Sequence, residues 1–412
     1  MKKKIISCIM AGVLSLGLMS CGNGKQVESK KESGEKVELS LWSYYSDGEQ
    51  KQLEAMIEKF NDSQENIKVS HQYIPFSDLK KQLSVGIAAG NLPDLAIIDN
   101  PDHAAYAAMG MFADITDKVN EWGQQEKYFE GPWDSVVYDG KVYGVPFVSN
   151  CLALFYNKDM FEQAGVEPPT NWTELEEVSK KLSKDGVYGL GIVANKSEEG
   201  VFHFLPWILS TGADILKLDT PEAAKALDYI KNLIDENAMS KEIVNLGPGD
   251  LSKYFTSEKL AMMVNGPWMI PGIEEENPNF EWGIVKIPMD NRYASVLGGE
   301  NLGVIKGGHE DEAWEFVKFM ADESNMQEFI SKTGYFPPRK DVAEDKFWTE
   351  DPLKSVFLEQ MEYALPRGPH PKWPEISNAI AVAMHEAITG VKTSEDALKD
   401  AQITIDEVLN SN

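Results

Sequence analysis

Apolar and polar residues alternate over 37–42, with Val37, Leu39 and Leu41 on one face, and this period of two predicts a strand. The period lengthens over 48–61, where Leu53, Met56, Ile57 and Phe60 recur at i, i+3, i+4 and i+7, the spacing of an amphipathic helix. A second strand is predicted over 67–73. A second helix follows over 76–89, with Leu79, Leu83 and Ile87 on one face and Gly90-Asn91 to close it. Residues 95–98 are continuously apolar, as expected of a parallel strand buried on both faces. Strand, helix, strand, helix, strand is the doubly wound α/β pattern. Ligands of such sheets sit beyond the carboxyl ends of the strands, which here are residues 42–47 and 99–103.

The later chain alternates in the same way. A strand is expected over 152–156 and another over 260–264, the second ending at Asn265-Gly266-Pro267-Trp268. Helices are expected over 160–164, 172–182, 221–237, 252–257, 310–322, 374–389 and 394–409, the last capped by Ser394.

The first twenty residues follow a different pattern. Lys2, Lys3 and Lys4 precede a short apolar stretch that ends in Leu18-Met19-Ser20-Cys21, too short for a membrane span and fitting a signal sequence. The ending resembles the bacterial lipobox, which implies a lipid on Cys21. Residues 21–36 are polar and lack apolar periodicity, so they read as a flexible tether.

Composition narrows the function. The net charge of −27 becomes −30 without the three signal lysines, which excludes nucleic acid as a partner, because phosphate binding needs a basic surface. Besides Cys21, the chain after the signal holds a single cysteine, Cys151, expected in the core, so no intrachain disulfide framework is possible. Arginine occurs only at Arg292, Arg339 and Arg367, against ten tryptophans and fourteen tyrosines.

Several segments in fixed order resemble the family 1 extracellular solute-binding proteins of ABC sugar importers, the maltose-binding-protein-like group. They include Leu39-Ser40-Leu41-Trp42, Ala88-Ala89-Gly90-Asn91-Leu92-Pro93-Asp94-Leu95, Tyr143-Gly144-Val145-Pro146, Leu154-Phe155-Tyr156-Asn157-Lys158 and Asn265-Gly266-Pro267-Trp268. The resemblance covers nearly all of the chain after the signal. It implies an α/β, two-lobed periplasmic-binding-protein-like (class II) fold, with doubly wound sheets joined by a multi-crossing hinge. Lobe 1 would be 37–148 with 298–335, and lobe 2 would be 149–297 with 336–412. The hinge strands would lie at 146–150 and 295–298. It further implies a monomeric, lipid-anchored extracytoplasmic protein that binds a sugar and meets the transmembrane permease subunits of an ABC importer.

A sugar offers flat apolar faces edged with hydroxyls, so its site needs aromatic plates beside groups that donate and accept hydrogen bonds. Trp268, at a strand end beside Gly-Pro, is the leading plate. Trp42, Tyr44 and Asp47 at the first strand end, and Asp99 and Asn100 at the third, are further candidates, although Asp and Asn also favour turns. The resemblance adds Asn150 at the crossover and Trp207, whose neighbours His203 and Phe204 are alternatives to it. It also adds Gly299 and Glu300 where the chain returns to the cleft, with Tyr335 and Arg367 on loops. In the C-terminal helix Asn378 stands where maltose-binding protein carries a stacking tryptophan, a departure that argues against a linear maltodextrin. The competing functions are a lipid-anchored glycosidase using a carboxylate pair such as Asp99 with Glu300, and a binding protein for a peptide or polyamine. Neither a metal motif, nor a nucleophile motif, nor a phosphate cradle is evident, so no cofactor is expected.

Overall fold

The computed structural model describes residues 36–368 and 370–411. The signal segment, Cys21 and all of the tether except Lys36 lie outside them. Strands β1 (Val37–Ser43), β2 (Ile67–Tyr73), β3 (Leu95–Asp99), β4 (Val137–Tyr138), β5 (Lys141–Val142) and β6 (Val145–Asn150) occupy the first part of the chain. β7 (Ala153–Asn157), β8 (Tyr188–Gly191), β9 (Leu260–Asn265), β10 (Trp282–Val285), β11 (Ser295–Val304) and β12 (Ala364–Pro366) follow. The first sheet runs β12-β11-β3-β1-β2, with β6 also paired to β11; the second runs β10-β7-β9-β8. The fold is a two-lobed, class II binding-protein fold built from mixed α/β layers.

Local patterning explains the first sheet. In β1, Leu39, Leu41 and Ser43 face inward between half-buried neighbours, and β3 is buried along its whole length. β1 is parallel to both β2 and β3. The helix Asp47–Ser63 buries Leu53, Met56, Ile57 and Phe60, the four residues at helical spacing. The helix Phe76–Ala89 ends at Gly90, whose left-handed backbone (φ 67°) sends its N–H to the Gly86 carbonyl.

The second sheet is buried on both faces. Along β7, Ala153 and Phe155 pack into the cluster that also holds Leu39, Leu95 and Val304 of the first sheet, whereas Leu154, its β9 partner Val264 and the adjacent Leu152 pack with residues of the helices Pro221–Asp235, Trp373–Ile388 and Ser394–Asn410. Cys151 is a free, fully buried thiol, as expected of a small core residue, and burial raises its pKa. The chain passes from the first sheet to the second between β6 and β7, and returns between β10 and β11. β6 and β11 run antiparallel, with Gly298 opposite Asn150 and Glu300 opposite Val148.

Two local expectations differ. The last helix is capped by Thr393, whose hydroxyl accepts from the Asp396 N–H, while the Ser394 hydroxyl bonds the Asp228 carboxylate instead. The helix Glu198–Ser210 has no counterpart in the sequence reading. Twelve of its thirteen residues are buried, so it lacks the polar face that would reveal a helical period.

Candidate functional site

A cavity of about 740 Å³ opens at the carboxyl ends of β1 and β3, where a doubly wound sheet holds its ligand. This is within the usual range for small-molecule sites, roughly 300–1,000 Å³. Tyr44 and Asp47 line it from the β1 end, Asp99 from β3, Asn150 from β6, and Gly299 and Glu300 from β11. The opposite wall is Glu198, Phe202 and His203 from the first turns of the helix Glu198–Ser210, with Trp268 beyond β9. Tyr335 and Arg367 also line it.

Trp268 sits half-buried in the one-turn helix Pro267–Met269. Its ring lies 6.0 Å from Tyr335 at 28° and 6.4 Å from Phe202 at 34°, giving a tilted aromatic wall. Gly266 is required beneath it: a Cβ there would stand 1.8 Å from the indole. Gly299 is also constrained, by its φ of 134° and because a Cβ would meet the Val148 carbonyl oxygen at 2.3 Å. The close approach at this glycine is therefore to the neighbouring strand.

The polar groups form two sets. In the first, the buried Arg367 guanidinium grips both Asp99 oxygens (3.0 and 2.7 Å) and donates to Glu198 Oε1 (2.6 Å), with its Cζ 4.5 Å from the Phe202 ring centre. Glu198 also accepts from Trp373 Nε1 at 3.2 Å and from the Ser377 hydroxyl. The second set is short of partners. Tyr44 donates to Glu300 Oε1 at 2.8 Å, but Glu300 Oε2, Asn150 Oδ1 and both ring nitrogens of His203 are buried without a hydrogen bond. Burial pushes the His203 imidazole down to about 3, so it is neutral, with one donor and one acceptor free. Burial, reinforced by the Asp99 charge, holds Glu300 well above the ordinary carboxylate range. Unpartnered buried polar atoms are costly and rare, and a cluster around one cavity marks where a ligand supplies the missing bonds.

Of the twelve ligand-site residues expected from sequence, nine line this cavity. Trp42, Asn100 and Trp207 do not. Trp42 is half-buried and packs against the apolar cluster that holds Leu79, Leu83 and Phe112, on the face of β1 opposite Leu39 and Leu41. Asn100 is buried behind Asp99, its Oδ1 3.4 Å from Arg367. Trp207 is fully buried against Trp172 and Tyr229, one helical turn beyond His203, which takes the cavity position in its place. Sequence reasoning missed Glu49, Glu198 and Phe202; the acidic first turn after Ser197 was the available signal for Glu198.

Glu49 supplies a test of this environment. It accepts from the Tyr335 hydroxyl at 2.7 Å, and burial raises it to about 7 despite that bond. The folded state therefore keeps a proton that the unfolded chain releases near 4.5. This favours folding fully below 4.5, and the benefit is lost as pH climbs from there to 7. Glu49→Gln cannot ionise, so melting curves should show the variant gaining on wild type by a few degrees across that window. A pH-independent gap would mean that Glu49 is ordinarily ionised.

A sequence profile of the bacterial extracellular solute-binding protein family matches residues 55–355. The multiple sugar-binding protein of Streptococcus mutans is 26% identical over 392 aligned residues, covering 88% of each chain. Among solved structures, an ABC transporter solute-binding protein from Thermotoga lettingae bound with α-D-tagatose superposes with a TM-score of 0.86 at 26% identity, covering 91% of this chain and all of that one. The maltose-bound MalE3 of T. maritima gives 0.84 at 26% identity, with 90% and 100% covered.

Proposed function

The chain belongs to the bacterial extracellular solute-binding protein family, and we propose on that premise that it captures a sugar or oligosaccharide and delivers it to the permease subunits of an ABC importer. One observation carries the choice of ligand: an aromatic wall, Phe202, Trp268 and Tyr335, stands in the same cavity as the partnerless Asn150 Oδ1, Glu300 Oε2 and His203 ring nitrogens. A pyranose or furanose ring presents an apolar face to the first and hydroxyls that both donate and accept to the second. Sugars held by the two solved relatives support this reading. Hydrolysis fits less well, because both Asp99 oxygens are held by Arg367, which competes with a nucleophile's role.

On this reading the monomeric body closes by hinge motion at 146–150 and 295–298, with lobe 1 at 37–148 and 298–335 and lobe 2 at 149–297 and 336–412. A thermal-shift screen of neutral mono- to tetrasaccharides, peptides and polyamines should single out a sugar. That sugar should then shrink the radius of gyration in small-angle scattering, and chromatography should recover it unchanged. Stabilisation by a peptide or polyamine alone, or cleavage of the sugar, would sink the proposal.

The lipid anchor at Cys21 belongs to the same proposal and rests on Leu18-Met19-Ser20-Cys21. Cys21→Ser should abolish lipid labelling and move the protein to the soluble fraction. Retention on membranes after a salt wash would rule the anchor out.

A further inference from the structure

Glu300 is almost wholly buried, yet its carboxyl receives one hydrogen bond, from Tyr44 to Oε1. Ionised carboxylates in protein interiors are held by a cation or by several donors, because losing hydration otherwise costs more than the charge can recover. Neither is present. The charged and titratable groups around it are Tyr44 and Tyr45, Glu49, Asp99, Tyr335 and Arg367. Arg367, the one cation among them, is committed to Asp99 and Glu198. The Tyr45 hydroxyl lies beside the same carboxyl but closes no hydrogen bond of good geometry with it, and Glu300 Oε2 is likewise without one. Burial and the Asp99 charge both favour the protonated form of Glu300.

We infer that Glu300 meets the ligand as an uncharged carboxylic acid, and that the cleft accordingly accepts neutral sugars and rejects sugar phosphates and uronic acids. An O–H on Oε2 donates to a sugar hydroxyl or ring oxygen, while the carbonyl oxygen stays with Tyr44. An anionic ligand would come to rest beside Asp99 and Glu198, two carboxylates that share one arginine, with no free buried cation among the described lining residues. The lining lysines, Lys51, Lys253 and Lys332, are exposed, and Lys332 is already paired with Glu328 at 3.0 Å. Like charges brought together at low dielectric repel strongly.

The specificity rests on the sugar-binding reading; the protonation of Glu300 does not, and two measurements keep them apart. The first needs no ligand. An infrared difference spectrum at pH 7, wild type minus Glu300→Gln, should contain the carbonyl band of a protonated carboxyl, and an ionised carboxylate band in its place would overturn the inference. The second is calorimetry with maltose, mannobiose and α-D-tagatose against glucose 6-phosphate and digalacturonic acid. At least one neutral sugar should bind, with each anionic compound about a hundredfold weaker or undetected. Against that sugar Glu300→Ala should lose about ten- to a hundredfold in affinity, and Glu300→Gln, which keeps a neutral donor, should lose less. A sugar phosphate or uronate binding as tightly as any neutral sugar, or Glu300→Gln losing as much as Glu300→Ala, would refute the specificity. If none of the five binds while the protonated band is present, the sugar reading and its specificity fall and the protonation of Glu300 stands.

Discussion

Arg367→Met should destabilise the folded body by about 3–5 kcal/mol, read as a lower urea midpoint at neutral pH. The guanidinium is the shared partner of two buried carboxylates, Asp99 at the end of β3 and Glu198 at the start of the helix Glu198–Ser210. Methionine fills much of the volume and leaves both charges without a cation. The cost is therefore that of stranded carboxylates rather than the net worth of the ion pair. Adding Asp99→Asn and Glu198→Gln to Arg367→Met should restore most of the stability. Arg367→Lys should fall between wild type and Met, because an ammonium cannot grip both oxygens of Asp99 in parallel. A triple variant as unstable as Arg367→Met would place the damage in packing against Phe202 instead.

Trp268→Ala should weaken binding of the sugar selected by the screen by about 2–4 kcal/mol, roughly thirty- to a thousandfold. The indole is half-buried between Phe202 and Tyr335 and touches both large hydrophobic clusters, so the ligand-free protein should also melt a few degrees lower. Calorimetry on wild type and variant separates the two effects. Loss of affinity far larger than the stability change supports stacking. A strongly destabilised variant that still binds tightly would make Trp268 a core residue and remove the wall on that side of the cavity.

What the sequence disclosed divides along a physical line. β1, β2 and the two helices before β3 are local patterns with one wetter face, so periodicity locates them, β3 shows as an unbroken apolar run, and the cavity follows from where β1 and β3 end. Tyr44, Asp99 and Trp268 were accessible for that reason. The helix Glu198–Ser210 was not, because burial on every side erases the period, and Pro206 within it argues further against a helix. Its misreading also explains Trp207: without the helix, nothing shows that His203 reaches the cavity one turn before Trp207 enters the core. Glu198, Asp99 and Arg367 come from three separate stretches of chain, and their meeting is a tertiary fact that no local pattern encodes.

β11 also governs the partly folded chain. Its register partners β3 from Glu300 to Val304, so the parallel trio β2-β1-β3 has a bare edge at β3 until a segment far along the chain arrives. Until then, the apolar Leu95–Ile98 offers unpaired backbone to any neighbouring chain. Chains ending between residues 110 and 290 should thus aggregate on refolding more readily than chains that include the ten-residue strand Ser295–Val304.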